Sequence, residues 1–294
     1  MPVAFRPIAL TTAAVYRVVT GGSSVFVKVL RRPVVPDSLA ELVGQFPWRD
    51  EAEFLLSDFP LAPGLRRPRV LRVDDLGDRI ALWLEDVRCA DVEWDLPRFR
   101  RAALGLGRWA GRRFGGAPGR ALRLLYEGRL VRDAFLRPDC PRRLADRVPD
   151  LLGRLEALPQ AVGHGDACPQ NLLVPADDPE SFVVIDVTWQ VPFPVGADLG
   201  QLLVGLAQEG RMAVDELPAV REEIIDAYLE GLRLEGRAVS REEVALGCDG
   251  SLALRSAFHS EPELAEYLVE LGMACLSRCL GGTDRSHPAP GGGA

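Results

Sequence analysis

From Val162 to Val187 the chain reads V-G-H-G-D-A-C-P-Q-N-L-L-V, then a short polar stretch, then F-V-V-I-D-V. Asp166 stands five residues before Asn171 in a loop, and Asp186 closes a strand-like apolar run 15 residues later. Two carboxylates and an amide are thus held in a fixed order between short apolar strands. That order suits phosphoryl transfer. One carboxylate accepts a hydroxyl proton, while an amide oxygen and a second carboxylate hold magnesium against the phosphates of a nucleotide. Taken singly, each of the three residues fits an ordinary solvated turn equally well; the ordered set carries the reading.

Other classes recede on composition. At 294 residues the chain forms one large domain or two smaller ones and buries a substantial core. A net charge of -7 argues against a general nucleic-acid binder. No apolar run reaches the ~18–20 residues that span a bilayer, so no membrane partner is expected. Arg6 is not followed by a long apolar segment or a small-residue cleavage site, and the expectation is a cytoplasmic protein. Six cysteines, Cys89, Cys140, Cys168, Cys248, Cys275 and Cys279, are scattered without a C-x-x-C pair. Cys275 and Cys279, at i,i+4, read as small buried residues of a helix. Only three histidines occur, one of them His287 in a Pro/Gly tail, which leaves little for a His-rich zinc site.

The chain has 35 basic residues, of which Lys28 is the single lysine. The skew toward arginine reads as mutational bias, and against it a retained lysine marks a place where a compact ammonium is needed. An ammonium reaches a phosphate as a point charge, whereas a guanidinium is larger and planar.

Along the chain, Ala14–Val19 and Ser24–Leu30 read as two strands joined by a Gly-Gly turn, with Lys28 inside the second. An amphipathic helix is expected from Trp48 to Phe59, and Pro63 to Pro68 reads as a breaker cluster. Strands at Arg69–Val73 and Arg79–Leu84 follow. Helical patterns then cover Pro97–Arg113, Ala121–Phe135 and Pro141–Leu158. Short strands are expected at Leu172–Val174 and Phe182–Ile185, on either side of the polar stretch. From Asp198 to Leu280 the pattern is helical, with breaks near Gly236 and at Cys248–Ser251; residues from Gly282 onward read as a disordered tail.

The segment G-H-G-D-A-C-P-Q-N resembles the H-G-D-x-x-x-x-N motif of the aminoglycoside phosphotransferase and choline kinase-like family, relatives of the protein kinases. V-F-V-K-V around Lys28 is similar to the V-A-I-K strand of kinases. The resemblance spans roughly Ala14 to Leu280. It implies an α+β, bilobal protein-kinase-like fold: a β-rich N-lobe over residues 1–87 with one main helix, a mostly helical C-lobe over 88–281, and the tail over 282–294. It implies Asp166 as catalytic base, Asn171 and Asp186 as magnesium ligands, and His164 as a loop organiser whose ring bonds backbone. Lys28 would bind the α- and β-phosphates and be held by a helix glutamate, either Glu51, which we favour, or Glu53. L-W-L-E-D-V resembles the hinge, where the carbonyl of Glu85 and the amide of Val87 would pair with adenine. V-G-A-D-L-G resembles the family's G-x-D-L element, which gives Asp198 a structural bond to the catalytic loop, alongside its simpler reading as a helix N-cap. The chain departs from the pattern twice. The phosphate loop before Val15 has no glycine, leaving Thr11, Thr12 and small alanines to approach the phosphates. Val187, not tryptophan, follows Asp186, with Trp189 two residues on.

By this resemblance the chain is a phosphotransferase using Mg2+ and ATP, with GTP left open, acting on a hydroxyl of a small molecule as monomer or homodimer. Between Asp198 and Leu280 sixteen acids face seven arginines. Glu261, Glu263, Glu266 and Asp249 are candidates to line an acceptor cleft for a cationic or amino compound such as an aminoglycoside; the same acids also suit solvated helix faces. A catalytically weak, kinase-like nucleotide- or ligand-binding protein is the alternative. A protein kinase fits less well, because V-T-W-Q-V-P-F-P-V-G-A-D after Asp186 is too short for a long activation segment. A cysteine hydrolase built on Cys168 fits least.

Overall fold

The computed structural model describes residues 11–33, 47–118, 120–123, 142–187 and 189–280. The helix expected over Ala121–Phe135 can be followed only through Arg123, and Cys140, His287 and the tail lie outside the described residues. The chain has a β-rich N-terminal part and a mostly helical C-terminal part, the α+β arrangement expected from the sequence.

The N-terminal part is a four-stranded antiparallel sheet in the order β1 (Thr12–Thr20), β2 (Ser23–Arg31), β5 (Arg79–Glu85), β4 (Val70–Asp75). β-Branched and aromatic residues build the first hairpin, and Gly21 and Gly22, both at positive φ (54° and 86°), close it. Helix α1 is shorter than expected, Asp50–Leu56, because Ser57 is already extended and Pro60 follows closely. The proline cluster contains a strand after all. β3 (Leu65–Arg66) pairs parallel with β8 (Phe182–Val184), which pairs antiparallel with β7 (Leu172–Leu173). This small sheet ties the N-terminal part to the segment that bears Asn171 and Asp186.

Helix α2 (Leu96–Arg112) starts on Asp95, whose carboxylate accepts the Arg98 N–H, with a proline in the first turn. A short turn of helix, α3 (Arg120–Arg123), follows. The single helix expected over Pro141–Leu158 is two among the described residues, α4 (Arg142–Ala145) and α5 (Val148–Glu156). Pro149 has no N–H to extend the first, so it opens the second. β6 (Gln160–Ala161) pairs with β9 (Phe193–Pro194) and brackets the polar loop. Helices α6 (Ala197–Gln208), α7 (Leu217–Leu234), α8 (Arg241–Ser256) and α9 (Pro262–Leu280) complete the C-terminal part, with α2 packed along α7.

The break expected at Cys248–Ser251 is absent: α8 runs straight through it. Gly247 lies against the Val195 carbonyl and Gly250 against Leu155, so these glycines serve close packing and not a turn. The chain instead breaks between α8 and α9. One apolar cluster runs from Leu30 and Leu82 in the sheet through Phe54 and Trp109 to Leu203 and Leu252 in the helices. Among the described residues no helix is long and apolar enough to cross a membrane.

Candidate active site

Strand β2 carries Lys28 between Val15 of β1 and Leu82 of β5, both buried. The lysine itself is buried, and its Nζ lies 2.9 Å from Oε1 and 2.7 Å from Oε2 of Glu51 in α1. Glu51 is the buried acid of that helix, while Glu53 is exposed. The structure therefore sets Glu51, not Glu53, against Lys28. Apolar contacts aim the helix: Phe54 stacks on Trp109 of α2 at 5.3 Å, and Trp109 in turn lies 5.9 Å from the ring of His164. A run of three rings thus joins α1 to the polar loop. A polar link runs beside it, the Asp50 carboxylate accepting the Gln190 N–H at 2.8 Å. Burial there pushes the Asp50 carboxyl above its ordinary range.

The Lys28 ammonium also bonds Asp186 Oδ1. Asp186 is the one non-glycine among the described residues at positive φ, 58°. Asp tolerates this left-handed conformation better than most residues, and a conformation of this kind persists where the surroundings over-determine it. Here the turn aims the carboxylate at Lys28 directly after β8. One ammonium between two carboxylates leaves an excess negative charge on the exposed side of Asp186, whose side chain is 43% accessible.

Asp166 and Asn171 come from the loop between β6 and β7. The Asn171 Nδ2 donates to the Asp166 carbonyl at 2.9 Å, and the Asn171 carbonyl accepts the Ile185 N–H at 3.0 Å. The first bond fixes the amide nitrogen inward and leaves its side-chain oxygen as the acceptor; the second places Asn171 beside the residue preceding Asp186. His164 is fully buried. Its Nδ1 accepts the Asp166 N–H at 3.3 Å, which puts the ring proton on Nε2, and burial holds the imidazole below its usual range and neutral. The ring thus accepts a bond from the backbone of its own loop.

Asp198 lies in the first turn of α6, whose N-cap is Gly196, so the N-cap reading of Asp198 fails. Its carboxylate instead reaches out to the loop, accepting His164 N–H at 2.9 Å and Gly165 N–H at 2.7 Å. Two glycines make room for this. A side chain on Gly163 would overlap Asp198 Oδ2, and Gly165, at φ 82°, faces Trp189. Trp189, displaced in sequence from its expected position, is buried over that glycine and edge-on to Phe193.

Several expected residues stand elsewhere. Thr12 is not in a loop; it begins β1, buried, opposite Leu30. Glu85 ends β5 with its side chain paired to Arg66 and its N–H on the Arg69 carbonyl, and Val87 follows half-buried, its carbonyl 3.6 Å from the Cys89 thiol. Asp249 is fully buried, clamped by Arg221 at 2.7 and 2.5 Å and by Arg278 at 3.2 Å, and so joins α8 to α7 and α9 instead of lining a cleft. Glu266 is paired with Arg143, and Glu261 and Glu263 are exposed near the start of α9. Cys168 is no nucleophile: burial pushes its thiol up to about 12.

Sequence reasoning missed two residues at Asp166. Arg255 of α8 donates to Asp166 Oδ1 at 2.7 Å and to the Gly165 carbonyl at 2.9 Å, and Gln201 of α6 reaches the same Oδ1 at 3.4 Å. Neither belongs to a local motif, and no spacing in the sequence points to them.

Among the described residues no group of three or more His, Cys, Asp or Glu side chains forms a ready metal cage. The Asn171 amide oxygen and the Asp186 carboxylate are hard oxygen donors on neighbouring segments, joined by the Ile185 N–H to Asn171 carbonyl bond, and could together hold a cation. That pair suits a magnesium ion that takes its other ligands from phosphates and water.

No family model matches the sequence, and no curated protein matches it. Solved structures do match the fold. An aminopropanol kinase associated with a microcompartment shares 18% identity over 94% of this chain and 91% of its own, with a TM-score of 0.54. A choline kinase from Cryptosporidium parvum shares 11% identity over 91% and 90%, with a TM-score of 0.53. An aminoglycoside phosphotransferase from Streptomyces rimosus, solved with ADP and streptomycin, shares 21% identity over 82% and 90%, with a TM-score of 0.50. The chain thus has the protein-kinase-like fold of these small-molecule kinases.

Proposed function

We propose that this chain is a phosphotransferase that moves the terminal phosphoryl group of ATP to a hydroxyl of a small molecule. The observation that carries the reading is the convergence of four sequence-distant groups. Lys28, clamped by Glu51, meets Asp186 across the two parts of the fold, and Asp186 sits beside the loop of Asp166 and Asn171. A merely structural ion pair gains little from burying a lysine between two carboxylates. The arrangement makes sense if the ammonium is to receive phosphate oxygens and the second carboxylate a cation.

In this reading the N-lobe is 1–87 and the C-lobe 88–281, with the nucleotide between them. Lys28 binds the phosphates and Glu51 fixes its position. Backbone at Glu85 and Val87 would take the base of the nucleotide. Asn171 and Asp186 would hold magnesium, which supplies charge neutralisation at the phosphates when bound. Asp166 accepts the acceptor hydroxyl's proton as the oxygen attacks phosphorus, and the bond to the nucleoside diphosphate breaks. Asp198 and His164 hold the loop's backbone so that Asp166 starts in place. The ADP in the Streptomyces neighbour supports the nucleotide assignment. We place the enzyme in the cytoplasm, where its free Cys89, Cys168, Cys248 and Cys275 would stay reduced. The acceptor is a small hydroxylated compound. The argument for a cationic one loses Asp249, which is consumed by arginines in the interior.

The test is ADP release from Mg-ATP over a panel of amino and non-amino alcohols, with Asp166→Asn as control. That variant should keep nucleotide binding and lose turnover by roughly 10²–10⁴-fold. Tight nucleotide binding with no turnover on any acceptor or water would favour the kinase-like binding protein instead.

A further inference from the structure

We infer that Arg255 is the positioning residue of Asp166; the inference rests on the phosphotransfer reading of that aspartate. A carboxylate is broad about its last torsion, so one that is to receive a proton needs something to hold its plane. The Asp166 side chain is about one-third accessible (32%), and nothing in the H-G-D motif itself restrains it. Arg255 does so from another part of the chain, 89 residues downstream. Its two terminal nitrogens span the loop, one on the Gly165 carbonyl at 2.9 Å and the other on Asp166 Oδ1 at 2.7 Å. The fork therefore fixes the carboxylate relative to its own backbone, which a single-point contact would not do.

Gln201 Nε2 approaches the same Oδ1 at 3.4 Å, and Ser256 Oγ lies 3.5 Å from Gln201 Oε1. Both partners engage Oδ1, so the base function falls to Oδ2. The platform is rigid. Arg255 sits in the last turn of α8, the helix locked by Gly250 against Leu155 and by Asp249 under Arg221 and Arg278. A positioning group on a packed helix holds geometry better than one on a loop. Lysine would not replace it, because an ammonium lacks the planar fork that reaches two oxygens in fixed directions.

The experiment uses the full chain and the variants Arg255→Ala and Arg255→Lys. Mg-ATP binding is measured by calorimetry, turnover by ADP release with water as the acceptor and with and without added guanidinium, and the Asp166 conformation by crystallography. The expected result is nucleotide affinity within about twofold of wild type, and turnover lower by roughly 10–100-fold in both variants, as for a misplaced catalytic group. Guanidinium should restore part of the loss in Arg255→Ala, and the Asp166 carboxylate should have rotated away from its wild-type position in both crystal structures. Unchanged turnover with Asp166 in place overturns the inference, as does a loss that follows nucleotide affinity and ignores guanidinium. If wild type binds nucleotide but turns none over with water or with any alcohol of the panel above, the phosphotransfer reading fails on its own. The crystal structures then still decide Arg255: a displaced Asp166 upholds its positioning role and an unmoved one removes it. Should Arg255→Ala fail to fold, Arg255→Lys carries both readouts.

Discussion

Gly163→Ala tests whether the loop is held by Asp198 through its backbone. The added methyl would occupy the place of Asp198 Oδ2, the oxygen that accepts the His164 N–H at 2.9 Å. The carboxylate must swing out, and the 2.7 Å bond from Gly165 N–H to its other oxygen goes with it. Hydrogen bonds to a charged group contribute about 1.5–3 kcal/mol each. Asp198 is only half-buried, which argues for the low end, roughly 3 kcal/mol for the pair. For a chain of this size a loss of that order lowers Tm by roughly 6–12 °C, at about 2–4 °C per kcal/mol. Gly153→Ala is the matched control. It lies in α5 with open space around the new methyl, and there alanine should stabilise the helix by about 0.5–1 kcal/mol. Urea and thermal unfolding followed by circular dichroism measure both. Asp198→Ala should cost about as much as Gly163→Ala, and the double variant little more than either, because both remove the same two bonds. Gly163→Ala within about 0.5 kcal/mol of wild type, or fully additive losses, would refute the argument.

His164 predicts a pH effect. Its folded value is held below the usual one by burial, so the unfolded chain takes up a proton near pH 6.5 that the native site refuses. The contribution to stability is thus fully present above about pH 6.5 and declines as pH falls toward the folded value, by at most about 1.4 kcal/mol per pH unit. His164→Asn should flatten the unfolding free energy between pH 6.5 and 5, and parallel profiles for variant and wild type would contradict the assignment. Thiol alkylation gives a separate check: of Cys89, Cys168, Cys248 and Cys275, exposed Cys89 should react first in the native protein, although burial and Asp86 raise its thiol too. Cys168 and Cys275, with thiols pushed up to about 12, should react only on unfolding. Rapid native alkylation of Cys168 would show that the loop opens far more readily than its bonds imply.

The hairpin around Lys28 and the helix with Pro97 in its first turn were legible in the sequence because their signals are local: a Gly-Gly turn between β-branched runs, and a proline ahead of a regular apolar spacing. Two of the errors share a cause. Cys248–Ser251 looks like a helix break in the sequence, yet Gly250 there and Gly247 beside it are small because Leu155 and Val195 press on them from elsewhere. Leu65–Arg66 looks like punctuation between prolines, yet it is a strand because β8, more than a hundred residues later, supplies its partner. Long-range packing decided each case, and it leaves no periodicity behind.

The same distinction runs through the site. A loop motif can single out a candidate base, because Asp166, Asn171 and Asp186 are spaced along one segment. It cannot announce what restrains the base, since restraint comes from whichever helix happens to pack against the loop. Arg255 illustrates this: one of 34 arginines in a chain with a single lysine, it carries no compositional mark at all. Lys28 stood out for the opposite reason, because the bias that hides Arg255 among arginines leaves a lone ammonium conspicuous. Both cations end on carboxylates, Lys28 on Asp186 and Arg255 on Asp166. The two differ in what their chemistry permits. The ammonium at Asp186 is a point charge that phosphate oxygens can share without a fixed direction, whereas the fork at Asp166 holds direction and would be a poor group to displace. Under the proposed phosphotransfer, a site that admits a nucleotide beside Lys28 and keeps Asp166 still is better served by one of each than by two of either.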